Sequence, residues 1–264
     1  MKFSFNIPTK ENKKLERIRK RVEKDLALQT LWKASNINAI DRLGYNDHGS
    51  VHVKIVSNIA LKLLRLLVAK GFQPSIVKNY GQTNGLTNDD AEVVVVLAAL
   101  LHDIGMSVHR DRHELYSLML APDLLNKLLE GYKGEKKTIM SSEIMHAILA
   151  HDTDVKPFTL EAGTVRVADA LDMSEGRARI PFHAGSMDIH SVSAMSITGV
   201  TLNEGKEVPI EIKITMENPA GVFQIDELLR AKITNSGLED KIRVICEVTD
   251  TKEKKFKHFE ISLA

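Results

Sequence analysis

The ten histidines of this 264-residue chain are unevenly spread: seven lie between His48 and His151, and the first 47 positions hold none. Imidazole and carboxylate are the side chains that bind divalent cations without thiolate help, and here they recur together. His48 and His52 are four apart, which in a helix sets them about 40° apart on one face. His102 and Asp103 stand side by side in Leu100-Leu101-His102-Asp103-Ile104-Gly105, at the end of a strongly apolar segment. Helical neighbours diverge by about 100°, so both reach one ion only by flanking it. Core packing gives no reason for two polar groups there, and burying each unpaired costs about 1–3 kcal/mol or more. A metal ion removes that cost by taking their lone pairs. His109 and His113 repeat the four-residue spacing, and His146 and His151 follow. Asp169 and Asp172 then interrupt Ala168-Asp169-Ala170-Leu171-Asp172. In a helix those two acids are about 60° apart, so one is expected to face inward and the other to be solvated or capping.

Cys246 is the single cysteine, which excludes an intrachain disulfide framework and any multi-cysteine zinc site. It is expected to be a small buried hydrophobe in a strand. A metal must then be held by His, Asp and Glu. Phosphate would need cations, and Arg177 and Arg179 follow the Asp169 segment directly, with Gly176 suited to ending that helix. They are the preferred substrate anchors. Arg110 and Arg112 flank the His109/His113 pair, while Lys54 falls on a different helix face from His52. His183, His190 and His258 lie outside the pattern.

These side chains need a scaffold. The chain is 43% hydrophobic and 27% charged with a net charge of +1, values of a soluble globular protein with no global pull toward nucleic acid. The longest apolar run, Ala91 to Leu101, is too short to span a bilayer. Met1 to Pro8 hold no signal-peptide core, and a cytoplasmic protein is expected. Residues 1–30 read as an N-terminal unit, in which Lys10–Leu26 forms a mostly solvated amphipathic helix with Leu15, Ile18, Val22 and Leu26 on its apolar stripe. Residues 31–188 read as largely α-helical, with periodic segments at Val51–Lys70, Ala91–Ile104, Arg112–Leu120, Ser142–Ala150 and Leu160–Met173. Val93–Val96 alone would suit a buried strand, but its alanine- and leucine-rich continuation favours a helix. Residues 189–264 change texture. Val208–Thr215, Arg243–Val248 and Phe256–Ile261 read as strands around a Phe223–Ile233 helix, a small β-β-α-β-β layer. The fold class is α+β.

The order His52, then Leu-Leu-His102-Asp103-Ile-Gly, then Ala-Asp169 resembles the H…HD…D signature of the HD superfamily of metal-dependent phosphohydrolases. The resemblance covers roughly Asp47 to Arg179, and the doublet in a helix ending in Ile-Gly is its most specific element. It implies a helical bundle in which His52, His102, Asp103 and Asp169 converge on a divalent metal. The ion would activate water and withdraw charge from the phosphoryl oxygens, with Asp103 touching both metal and water. The donor set suits Mn, Fe, Co, Ni, Zn or Mg. Members with two metals add histidines between the doublet and the last Asp, and by order His113 and His151 match best. His151 is preferred to His146, which lies about 140° away around a helix. His109 and His48 are further candidates for a second ion or for substrate. His113 follows the doublet by ten residues and no Gly-Tyr-Pro element is present, two departures from the cyclic-dinucleotide HD-GYP branch.

The expected function is therefore divalent-metal-dependent hydrolysis of a phosphoester, on a small nucleotide or cyclic nucleotide, with one or two ions. Rival readings are an HD-fold di-iron oxygenase and a ligand-binding or assembly protein with a quiet HD site. No membrane partner is expected, and a nucleic-acid partner is not indicated. The apolar stripe of Ile225, Leu228, Leu229 and Ile233, with a second sheet face rich in Val, Ile and Met, predicts that the C-terminal layer docks on the helical domain or a second subunit, in a homodimer.

Overall fold

The axis of the molecule is α5 (Asn88–Leu101), begun by a capping box between Thr87 and Asp90. Every residue from Val93 to Leu101 is buried, because α1 (Lys13–Val22), α3 (Ser50–Ala69), α4 (Ser75–Asn84), α7 (Gly134–Leu149) and α8 (Leu160–Ala170) all pack on it. A helix enclosed on all sides needs no polar face, which is why its valine run mimics a strand. The computed structural model describes residues 3–173, 193, 195–249 and 258–261. Two further helices complete the bundle, α2 (Leu26–Asn36) and α6 (His113–Leu128).

The single helix expected over residues 10–26 is shorter than that. α1 stops at Val22, and the Asp25 side chain accepts the Leu28 N–H to start α2. Leu15, Ile18 and Val22 enter the same apolar core as α5, while Leu26 is exposed. No helix among the described residues is long and apolar enough to cross a membrane.

The C-terminal layer has the expected β-β-α-β-β order. β1 (Ile197–Glu204) and β2 (Ile210–Met216) pair antiparallel, and a helical segment over 222–233, here α9, crosses over to β3 (Ile242–Val248). β3 lies parallel to β2, with Ile210 opposite Ile242, and β4 (His258–Ile261) pairs antiparallel with β3. Ile210, Ile212, Ile214 and Met216 alternate inward with Ile242, Val244, Cys246 and Val248, and they share a core with Ile225, Leu229 and Ile233 of α9. Cys246 is thus a buried strand residue, as its setting predicted. The other face differs from the expected Val/Ile/Met surface. Apart from Ile245 it carries Glu211, Lys213, Thr215, Arg243 and Glu247, with Lys213 and Glu247 paired at 2.7 Å. A polar face needs no cover, so that argument for a second subunit falls away. Leu228 is 45% exposed and does not join the stripe.

The layer docks on α8 through residues three apart on one helix face. A Cβ on Gly163 would lie 2.2 Å from the Ser236 carbonyl oxygen, so only glycine allows this approach. Arg166, 2% exposed, donates to Ala231 O at 3.3 Å while its other donors hold Thr153 O and Val155 O at 3.0 Å. Asp169 is the next residue on that face.

Candidate metal centre

α5 ends inside the protein, where its last carbonyls cannot reach water. Side chains from three directions take them. His102 Nδ1 meets Ala99 O at 2.9 Å, Trp32 Nε1 donates to Leu100 O at 2.9 Å, Ser117 Oγ donates to His102 O and Ser35 Oγ donates to Asp103 O at 3.2 Å. A 3-10 turn, Ile104–Ser107, follows the doublet. A Cβ on Gly105 would sit 2.0 Å from His113 O and 2.5 Å from Ser117 N, so glycine is what lets this turn lie against the start of α6. That approach brings His113 beside Asp103. Arg112, just before it, holds a left-handed backbone (φ 59°, ψ 34°), a strain of about 1–3 kcal/mol stored next to the site.

His52 is placed from the other side. The Asp47 carboxylate accepts the N–H groups of Gly49 and His52 at 3.1 and 3.0 Å, capping α3, and Asn36 holds Asp47 in turn at 2.7 Å. His52 Nε2 then lies 3.2 Å from His102 Nε2, 3.2 Å from Asp103 Oδ2 and 3.3 Å from Asp169 Oδ1. His102 Nε2 is 3.3 and 3.6 Å from those same oxygens. Bonds of about 2.1 Å to one ion put neighbouring donors roughly 3.0–3.5 Å apart, so the spacing fits a shared cation. The other oxygen of Asp103 faces a second group. Oδ1 lies 3.1 Å from His113 Nε2 and 3.8 Å from His151 Nε2, with those two nitrogens 3.1 Å apart.

The tautomers decide what these nitrogens are. A carbonyl or carboxylate can only accept, so the nitrogen facing it carries the proton. His102 Nδ1 faces Ala99 O, His113 Nδ1 faces Arg110 O at 3.0 Å, His151 Nδ1 faces Ile148 O at 2.6 Å, and His52 Nδ1 faces Asp172 Oδ2 at 2.6 Å. In the neutral ring each Nε2 therefore presents a lone pair, and two such pairs of nitrogens lie within 3.2 Å of each other beside the Asp103 carboxylate. Neutral rings so placed repel one another, and a proton or a metal ion taken up between them relieves that repulsion. Three groups of these donors lie within 4.8 Å of one another: His52/His102/Asp103, His102/His151/Asp169 and Asp103/His113/His151. The residues present fit a divalent metal.

The titration behaviour reflects the same demand for positive charge. Burial works against charge on His102, but the Asp103 and Asp169 carboxylates outweigh it and raise its pKa to about 9. Burial likewise opposes ionisation of Asp103, yet His102, His113 and His52 hold it well below the usual carboxylate range. Asp169 is also held low, by Lys232 and by His102 and His52 against burial. Burial pushes His151 well down, and the nearby His102, Lys232 and His113 add to that. Against burial, the Asp103 carboxylate raises His113.

Of the residues singled out in the sequence, His52, His102, Asp103, Asp169, His113 and His151 meet here. His48 lies alongside, its ring 5.8 Å from that of His52 and its Nδ1 2.8 Å from Asn46 O, outside the donor groups found among the described residues. His109 accepts the Asp111 N–H at 3.0 Å on the surface, and His146 accepts the Phe158 N–H at 2.9 Å while stacking on that ring. Arg110 sits 4.1 Å over the Tyr45 ring. Arg177 and Arg179 lie outside the described residues. Two participants had no assigned place in the sequence reading. Asp172, expected to be solvated or capping if Asp169 faced inward, is 7% exposed and orients His52. Lys232 comes from α9 and pairs with Asp169 Oδ2 at 3.2 Å. Beside them opens a cavity of about 420 Å³, lined in part by Asn46, Asp169, Asp172, Gln224 and Lys232.

Residues 48–174 match the HD domain family. The chain is 46% identical over 230 residues to the Uncharacterized protein MJ1020 of Methanocaldococcus jannaschii, covering 87% of each chain. It is 30% identical over 155 residues to the Ribonuclease Y of Thermoanaerobacter pseudethanolicus, and 27% identical over 150 residues to that of a Roseiflexus species. Those matches take in 57% and 54% of this chain but only 28% and 26% of the ribonucleases. No solved structure matches the chain.

Proposed function

The chain belongs to the HD-domain family, and from that premise we propose that it is a metal-dependent phosphohydrolase acting on a nucleotide or cyclic nucleotide. The observation that carries this reading is Asp103, whose two oxygens each face a separate set of imidazole lone pairs. Those two sets are the residues that would hold divalent metal ions, His52 and His102 on one side of Asp103 and His113 and His151 on the other. When bound, such ions supply an activated water near neutral pH and draw charge from the phosphoryl oxygens. The protein supplies position. Asp172 fixes the His52 ring and its tautomer, and the Ala99, Arg110 and Ile148 carbonyls do the same for the other three histidines. His52, His102, Asp103 and His151 have side chains no more than 4% exposed, whereas Asp169 and His113 remain 15% and 21% exposed. Substrate is therefore expected on the side of Asp169, which lines the cavity together with Asp172 and Lys232.

The likeness to proteins named Ribonuclease Y favours hydrolysis over oxygen chemistry and adds a second substrate reading, the phosphodiester of RNA. Metal analysis of the purified protein, followed by turnover assays on phosphomonoesters, deoxynucleoside triphosphates, cyclic nucleotides and short RNA, tests both. Chelation is expected to abolish turnover and a transition metal to restore it. Undiminished hydrolysis after rigorous demetallation refutes the reading, and a bound iron pair with oxygen uptake replaces it with the oxygenase.

A further inference from the structure

We propose that Lys232 is a phosphate-binding residue, delivered to the HD centre by the C-terminal layer. This rests on the phosphohydrolase reading above and adds a residue outside the matched segment, 48–174. Lys232 Nζ donates to His151 O and lies 3.2 Å from Asp169 Oδ2, the oxygen turned away from the cluster that Oδ1 joins. An ammonium has three donors, and the third has no protein acceptor among the described residues. The side chain is 18% exposed and lines the cavity that Asp169 and Asp172 also line, so a ligand there meets it.

Its delivery is rigid. Gly163 against Ser236 O and Arg166 on Ala231 O hold α9 and the turn after it to α8, about two turns and one turn before Asp169, so Lys232 arrives in a fixed place. Its charge is the informative part. An ammonium competes with a metal ion for the same Asp169 carboxylate, and like charges at this distance repel. Metal binding alone gains nothing from Lys232. A cation here is useful once an anion enters, when the phosphoryl oxygens can accept the remaining N–H in a charge-assisted hydrogen bond. A strut and a phosphate contact thus differ in sign. Loss of a strut weakens metal binding, whereas loss of this lysine should spare or tighten it.

The test uses the full chain as wild type, Lys232→Met and Lys232→Arg. Calorimetric titration gives the affinity for Mn²⁺, and then the affinity of the Mn²⁺-loaded protein for inorganic phosphate. Lys232→Met is expected to weaken phosphate binding about tenfold or more, with Mn²⁺ affinity unchanged or higher. Lys232→Arg should recover phosphate affinity to within roughly threefold, since the charge and donors remain. Wild-type hydrolysis of no phosphoester, with phosphate binding still dependent on Lys232, would sink the phosphohydrolase reading while supporting this one. The proposal is overturned if Lys232→Met leaves phosphate affinity unchanged, or if the loaded wild type binds no phosphate. It is overturned equally if Mn²⁺ affinity and melting temperature fall together in Lys232→Met and arginine restores neither.

Discussion

Asp103 is the hinge between two donor groups, since Oδ2 faces His52 and His102 while Oδ1 faces His113 and His151. Asp103→Ala should therefore empty both positions and lower turnover on the order of 10³-fold or more, as stabilisation worth several kcal/mol is lost. His113→Ala should remove about half the metal and leave measurable turnover, both read by elemental analysis beside kinetics. Equal metal loss in the two variants would refute the division. Asp172 acts one step back. Asp172→Asn keeps an acceptor for His52 Nδ1 but removes its charge, so metal affinity should fall about 10–100-fold with the fold intact. An unchanged affinity would show that the contact is incidental. His102 and Asp103 were legible because two polar groups are costly at the end of an apolar helix. His52, Asp169, His113 and His151 stood out by their order in the resemblance to the HD superfamily. Asp172 was not legible, because a 60° offset presumes a helix through residue 172. α8 stops at Ala170, with Leu171 as its cap, and the turn carries Asp172 back inward.

At the scale of elements, the centre depends on how α5 ends. Gly105→Ala would press a methyl group into the first turn of α6, with His113 O 2.0 Å away and backbone on both sides unable to rotate aside. The expected cost is on the order of 3 kcal/mol, with loss of the metal that His113 helps to hold. A melting curve and metal content matching wild type would show that α6 moves away freely. Helix α5 itself was readable from its length and alanines, and β2, β3 and β4 from their β-branched runs, whereas β1, with Gly199, Asn203 and Glu204 among its residues, carries no such run and was not singled out. The sheet's outer face was misread, because the isoleucines of Ile210-Glu211-Ile212-Lys213-Ile214 drew attention from the charges between them. Those charges alternate with the pleat and pair across it, as Lys213 and Glu247 do.

For the molecule as a whole, the helical bundle and the C-terminal layer meet at the chemistry, because α9 reaches His151 and Asp169 through Lys232. Mn²⁺ binding should then alter amide exchange in α9 as well as around α5, by restricting the groups Lys232 holds. Exchange rates in residues 222–233 that ignore the metal, while those near His102 respond, would show the layers to be energetically separate. Nothing in the local sequence announces this link. Lys232 belongs to an ordinary charged helix, and its partner Asp169 lies 63 residues earlier in the chain. That separation has a consequence for birth as well as for function. All six candidate donors precede Lys232 in the chain, so synthesis reaches them before the ammonium at the cavity exists. The half of the site that meets an anion thus waits for a layer made after the half that would meet a cation.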